Sequence, residues 1–165
     1  MPWHFAKLTE SQAKNITAWR YPPPYDLYNA ANDQEELDEL LNRDSPYYGV
    51  TNGHGGLIGF FCFNETARVP AGHRAGAYAE PGAVDLGLGM RPDLTGKGLG
   101  LPFVLAGIEF ARSTFTPTLF RLTVATFNAR AMRVYERAGF RRMVVFNSYT
   151  SSGEHEFLTM VRAAD

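Results

Sequence analysis

A chain of 165 residues, 45% hydrophobic and 13% aromatic, has the size and apolar content of one folded domain spanning residues 1–165. Its 16 basic and 17 acidic residues leave a formal charge of -1, so it lacks the positive field that would hold a nucleic-acid backbone. A single cysteine, Cys62, excludes an internal disulfide and a multi-thiol metal site, and no run approaches the ~18 apolar residues that cross a bilayer, so a soluble cytoplasmic protein without membrane contact is expected.

Trp3 to Leu8 reads as a short strand. Thr9-Glu10-Ser11-Gln12 follows as a capping box, and its helix should run to about Trp19, because Pro22-Pro23-Pro24 lacks the amides to continue it. An aromatic loop, Tyr21 to Tyr28, leads to Asn32 and Asp33, which can cap a second helix with Leu37, Leu40 and Leu41 at helical spacing. The acidic side of that helix is most simply solvated. Tyr47 to Thr51 and Leu57 to Asn64 form a hairpin around Asn52-Gly53-His54-Gly55-Gly56, whose Asn-Gly pair suits a positive-φ turn, and Cys62 lies in the second strand's apolar run as a buried, inert thiol. Glu65 to Gly82 has no periodicity and reads as a long excursion of the kind that borders binding sites.

From Val84 the pattern alternates: strand Val84–Met90, a glycine-rich turn, helix Leu101–Ser113, strand Phe120–Phe127 and helix Ala129–Arg137. Such alternation implies two adjacent parallel strands joined by a crossover helix. Met143 to Asn147 and Glu156 to Arg162 then close as an antiparallel pair. The order β-α-α-β-β-β-α-β-α-β-β predicts an α/β (α+β) mixed sheet with helices on its faces.

Gly96-Lys97-Gly98-Leu99-Gly100 sits between a strand and a helix, where backbone amides and the positive helix end favour a phosphate group. A Rossmann fingerprint would need glycine where Leu101 or Phe103 stands. A P-loop would need Ser or Thr at Gly98 and a glycine at Arg91, so both nucleotide readings fail. With Gly98 and Gly100 at its two small positions, the turn resembles the acyl-CoA signature Gln/Arg-x-x-Gly-x-Gly/Ala of the GNAT acyltransferase superfamily, with Thr95 in place of the usual Gln or Arg. Downstream, Asn128, Ala131, Tyr135, Gly139 and Phe140 match that superfamily's segment Asn-x-x-Ala-x-x-x-Tyr-x-x-x-Gly-Phe at every named position. Read without the family, Asn128 can cap a helix, Gly139 can end it, and Ala131, Tyr135 and Ala138 share one helical face.

The resemblance implies a mostly antiparallel central sheet, flanked by helices on both faces, whose one parallel strand pair splays to admit the pantetheine arm of acetyl-CoA. It implies that amides of Thr95, Gly96, Lys97, Gly98, Leu99, Gly100 and Leu101 cradle the pyrophosphate, with Lys97 adding charge at the rim. Asn128 and Ala131 would border the cofactor, amides of Leu88, Gly89 and Met90 would polarise the thioester carbonyl, and Tyr135 would protonate the departing thiolate. On strand Val84–Met90, Asp85 shares its face with Gly87 and Gly89, so it is expected beside vacant space as the base or amine-binding carboxylate, with Glu65 and Glu80 as further candidates; the alternative is that it caps a strand end or pairs with an arginine. His54 and His73 lack partners at metal-ligand spacing, and no metal is expected. The acceptor is expected to be a small-molecule amine or a peptide amine, the alternative of another class being a catalytically silent acyl-CoA-binding protein. Tyr21, Tyr25, Tyr28, Tyr47 and Tyr48 are candidates to line its pocket, and pairing of the C-terminal strands in a homodimer is compatible with such a fold.

Overall fold

The computed structural model of the protein describes residues 3–165; Met1 and Pro2 lie outside the described residues. The strands are β1 (His4–Lys7), β2 (Tyr48–Thr51), β3 (Leu57–Phe63), β4 (Ala83–Met90), β5 (Leu119–Ala125), β6 (Arg141–Thr150) and β7 (Gly153–Ala163). The helices are α1 (Glu10–Thr17), α2 (Gln34–Leu40), α3 (Gly100–Thr114) and α4 (Ala129–Arg137). Among the described residues, seven strands join in the order β1-β2-β3-β4-β5-β7-β6, a mostly antiparallel sheet in which β4 and β5 form the parallel pair. Among the described residues no helix is long and apolar enough to cross a membrane.

The chain groups into two compact units, 1–63 with 88–99 and 64–87 with 100–165. In the first unit, the Thr9–Gln12 capping box starts α1 as its sequence dictates, and the Asp33 side chain accepts from the Glu36 amide to start α2. Leu8, Ala13, Ile16, Trp19 and Leu40 form its core, with Leu37, Tyr47, Leu57 and Phe60 packed against them. Cys62 is buried, and burial pushes the neighbouring Tyr47 phenol far up, with the Cys62 thiol as the next contribution. The hairpin turn differs from the expectation in one respect. Its positive φ falls at Gly55, not in the Asn52-Gly53 pair, because the Asn52 carboxamide accepts from the His54 and Gly56 amides and folds the loop back on its own side chain.

In the second unit, the 64–82 excursion is ordered by two 3-10 turns, Asn64–Ala67 and Pro70–Gly72. Gly72 packs so tightly that a β-carbon would stand 2.6 Å from the Tyr78 ring and 3.0 Å from Phe146. β5 runs through the middle, its register shared with β4 on one side and β7 on the other, and Phe120, Leu122, Phe103, Ile108 and Met160 are fully buried. The final hairpin is longer than its apolar runs suggest, reaching back to Arg141 and forward to Ala163 around the Ser151-Ser152 turn. The β4–β5 ladder holds four pairs, from Ala83↔Leu119 to Leu86↔Leu122. Both strands continue beyond it, β4 to Met90 and β5 to Ala125.

Gly89 explains part of why the far end of β4 is built from small residues. A β-carbon there would lie 2.3 Å from Cε2 of Phe60, so this stretch of the glycine face is filled by an aromatic ring and is not vacant. Gly89→Ala should therefore destabilise the protein by about 1–3 kcal/mol through overpacking. Thermal unfolding of Gly89→Ala alone and combined with Phe60→Leu checks this, since shortening the ring should restore part of the loss.

Candidate functional site

β4 ends at Met90, and the next residues form a compact 3-10 turn, Pro92–Leu94, before the glycines. Arg91 is the anchor of that turn. Its amide donates to the Ile58 carbonyl at 2.8 Å, its Nη1 to the Leu57 carbonyl at 3.0 Å, and its guanidinium grips Asp93 through two bonds of 2.6 and 3.1 Å. Thr95 uses its hydroxyl on the Pro92 carbonyl at 2.7 Å, closing the turn from within. Gly96 and Gly98 both adopt left-handed backbone, φ 72 and 78, which an L side chain rarely enters. A β-carbon on Gly98 would meet nothing within 4 Å, so its outward side is open. Gly96, Lys97 and Gly98 are exposed, and Leu99 is half-buried where the chain enters α3. The first amides of α3, at Gly100 and Leu101, have no intrahelical acceptor by the geometry of any helix start. They add to the donor-rich, positive end that the turn presents.

Gly100 is small for a different reason. A β-carbon there would press to 3.2 Å from Val134 Cγ2, so the start of α3 lies against α4 one residue before Tyr135. The α4 helix carries out its sequence-coded geometry: the Asn128 side chain accepts from the Ala131 amide at 3.1 Å, and Gly139 leaves the helix at φ 97. The Phe140 amide returns to the Tyr135 carbonyl at 3.0 Å, and the two rings meet edge-on at 6.3 Å. Arg162 seals the end by donating to the Ala138 carbonyl. Ala131 and Tyr135 are half-buried, one turn apart.

Asp85 does not stand beside open space. It is 1% exposed and accepts from Arg121 Nε at 2.6 Å and Nη2 at 2.8 Å, a bidentate pair between register partners on adjacent strands. Arg68, from the excursion, donates its Nε to the same carboxylate at 2.8 Å, and its Nη1 to the exposed Glu65 at 3.1 Å. The Arg121 guanidinium lies 5.0 Å from the centre of the Tyr78 ring. The Tyr78 hydroxyl in turn pairs with Thr123 at 2.7 Å and accepts from the Val69 amide, and burial pushes this phenol up. Arg68, Tyr78, Arg121 and Thr123 were not among the residues expected from sequence. One signal was available, a charged Arg121 inside the mostly apolar strand Leu119–Ala125, at the parity of Thr123.

The remaining candidates fall in several places. Met90 accepts a hydrogen bond on its carbonyl from the Tyr21 hydroxyl at 2.6 Å. Tyr47 packs with Phe60 and Tyr48 with Phe63, whereas Tyr28 is exposed. Glu36 on α2 has its carboxyl pushed up, first by burial and then by Asp33, Glu39 and Glu35. His73 rests against the Tyr78 ring at 5.1 Å, and Glu80 is exposed.

Comparison with known proteins returns one family. A model described as an acetyltransferase (GNAT) domain matches residues 2–141. A mycothiol acetyltransferase of Acidothermus cellulolyticus is 35% identical over 115 residues, covering 64% of this chain. The match covers 35% of that relative, so this chain spans about a third of its length. Among solved structures, a spermidine N-acetyltransferase chimera from Vibrio cholerae and hSSAT superposes with a TM-score of 0.76 at 15% identity, covering 99% of this chain and 96% of that one. The spermidine/spermine N-acetyltransferase of Vibrio cholerae with manganese ions superposes at 0.68 and 14% identity, covering 98% and 92%. These structural likenesses establish the shared fold.

Asp85→Asn keeps the side-chain shape but leaves the buried Arg121 guanidinium without its counter-charge, a change that typically costs about 3–5 kcal/mol. The melting midpoint should fall steeply, and thermal unfolding reads it. A normal midpoint combined with a collapse in turnover would assign Asp85 to proton transfer instead.

Proposed function

The chain belongs to the acetyltransferase (GNAT) family, and from that premise we propose that it transfers an acetyl group from acetyl-CoA to a primary amine by direct attack in a ternary complex. The observation that carries the proposal is the packing of Gly100 on Val134, which holds the start of α3, the helix that the left-handed glycine turn leads into, against the helix residue preceding Tyr135. A phosphate-binding turn and a phenol on neighbouring helices are the two things thioester aminolysis needs from opposite ends of the donor.

The residues that fit the cofactor are those of the turn. Backbone amides from Gly96 to Leu101 would hold the pyrophosphate, the expected Thr95 amide being spent on the Pro92 carbonyl at 3.2 Å; Lys97 would add charge, and Asn128 and Ala131 would border the arm, the latter by being small. The absence of Gln or Arg at Thr95 matters little on this reading, because the Thr95 hydroxyl is already committed to Pro92 and the cradle is made of backbone. Amides of Leu88, Gly89 and Met90 would polarise the thioester carbonyl. The amine nitrogen attacks that carbon, the carbon–sulfur bond breaks, and Tyr135 gives its phenolic proton to the leaving thiolate. The surplus proton on the amine passes to water. Asp85 is assigned to holding Arg121 and Arg68, since both its oxygens already accept charged donors.

For the acceptor, a small-molecule amine is our first reading, in keeping with relatives named for spermidine and mycothiol. The acidic α2, with Glu36 inside its own negative field, is compatible with a cationic acceptor. A peptide amino terminus or lysine is the second reading, and thiol release measured on separate amine and peptide panels distinguishes them.

Tyr135→Phe should slow thiol release about 100-fold while CoA binding, read by calorimetry, is retained. Unchanged turnover would favour a protein that binds acyl-CoA without using this phenol.

The cradle makes an independent prediction. Gly98→Val forces a branched side chain into left-handed backbone on the open side of the turn, and should abolish measurable acetyl-CoA binding below its melting midpoint. Thr95→Ala should change that affinity by no more than about twofold, as its hydroxyl serves the turn rather than the ligand.

A further inference from the structure

The peptide joining Met90 to Arg91 links the end of β4 to the glycine turn, and both of its polar groups are held. Its carbonyl accepts from the Tyr21 hydroxyl at 2.6 Å, and its N–H donates to the Ile58 carbonyl at 2.8 Å. Ile58 stands where the β2–β3 register slips, Val50 facing Gly59 and Thr51 facing Leu57, so its carbonyl is presented from an irregular rung.

Tyr21 reaches this peptide from a base that is itself fixed. Arg20 donates to the Thr17 and Trp19 carbonyls at the end of α1, and the Tyr21 amide donates to Asn29 Oδ1 at 2.7 Å, closing the proline-rich loop on itself. Burial pushes the Tyr21 phenol up to about 12, so it remains a proton donor throughout the neutral range. One residue earlier on β4, Gly89 is backed by the Phe60 ring, which blocks the strand from relaxing toward that side.

We propose that Tyr21 is a positioning residue for acetyl transfer: by fixing the Met90–Arg91 peptide, it sets the direction of the Leu88–Met90 amides toward the thioester carbonyl. This rests on the acyltransferase reading given above, in which those amides polarise the carbonyl. Removing the hydroxyl leaves a strand carbonyl without its donor and frees the peptide to tilt, while the ring keeps its packing. Tyr21 then matters most to the ligand that carries the carbonyl, acetyl-CoA, and little to free CoA.

Tyr21→Phe tests this with two measurements on the full chain. Amide hydrogen exchange in the ligand-free protein should accelerate about tenfold or more at Arg91, with the amides of α3 unchanged. Calorimetry should show the affinity ratio of acetyl-CoA to CoA falling several-fold, and kcat with the best amine should drop about tenfold while KM for that amine is kept. Unchanged exchange at Arg91 overturns the clamp. Faster exchange with an unchanged affinity ratio and kcat overturns its link to the acyl group and leaves Tyr21 as a purely structural residue. A wild-type protein that binds neither CoA nor acetyl-CoA would instead bring down the acyltransferase reading itself, and the inference with it.

Discussion

The buried pair of Asp85 and Arg121 is the constraint around which the second unit is organised. The two residues are register partners in the parallel ladder, one rung before its last pair, and both side chains are nearly inaccessible. Taking two charges out of water is expensive, and a pair of well-packed apolar residues would serve stability as well or better. What the pair supplies is definition. A guanidinium gripping a carboxylate through two bonds permits one register and one spacing between β4 and β5, at the point beyond which their ladder ends. The excursion is drawn onto this centre as well, through Arg68 on the carboxylate and Tyr78 over the guanidinium.

Three glycines of the turn illustrate how one residue type meets separate demands. Gly96 and Gly98 are needed for backbone conformation, as both occupy the left-handed region. Gly100 has no such requirement; it packs close on Val134, where a β-carbon would stand 3.2 Å from Cγ2 and the neighbour would have to give. The first demand shapes a surface of backbone amides, and the second sets how near α4 can come to the start of α3. A signature written as spaced glycines thus combines a conformational rule with a packing rule.

Local chemistry made much of this legible. The Thr9–Gln12 box, the Asp33 cap, the Asn128 cap and the Gly139 exit depend on interactions within four or five residues, so they could be read along the chain and recur in the structure. The alternation after Val84 gave the parallel pair, because only a crossover helix joins two such strands. The hairpin turn differs in detail from its Asn-Gly pattern, since Asn52 spends its side chain on the loop's own amides and the left-handed residue falls at Gly55. For Asp85 the sequence leaves open a base, an amine-binding carboxylate or the partner of an arginine, and it does not say which arginine. Its partners lie 17 and 36 residues away, a separation over which no periodicity carries information.

By itself, then, the sequence determined the order of elements, the helix ends, the glycine turn and the phenol on α4, all consequences of backbone stereochemistry and short-range hydrogen bonding. Only the tertiary structure decided what fills the spaces those elements leave. Phe60 occupies the side of Gly89, Arg121 and Arg68 claim Asp85, and Tyr21 caps the Met90 carbonyl. The physical reason is common to these cases. A glycine, a carboxylate or a strand carbonyl declares that it needs a partner, but the partner is chosen by long-range packing, where burial and charge compensation are settled together.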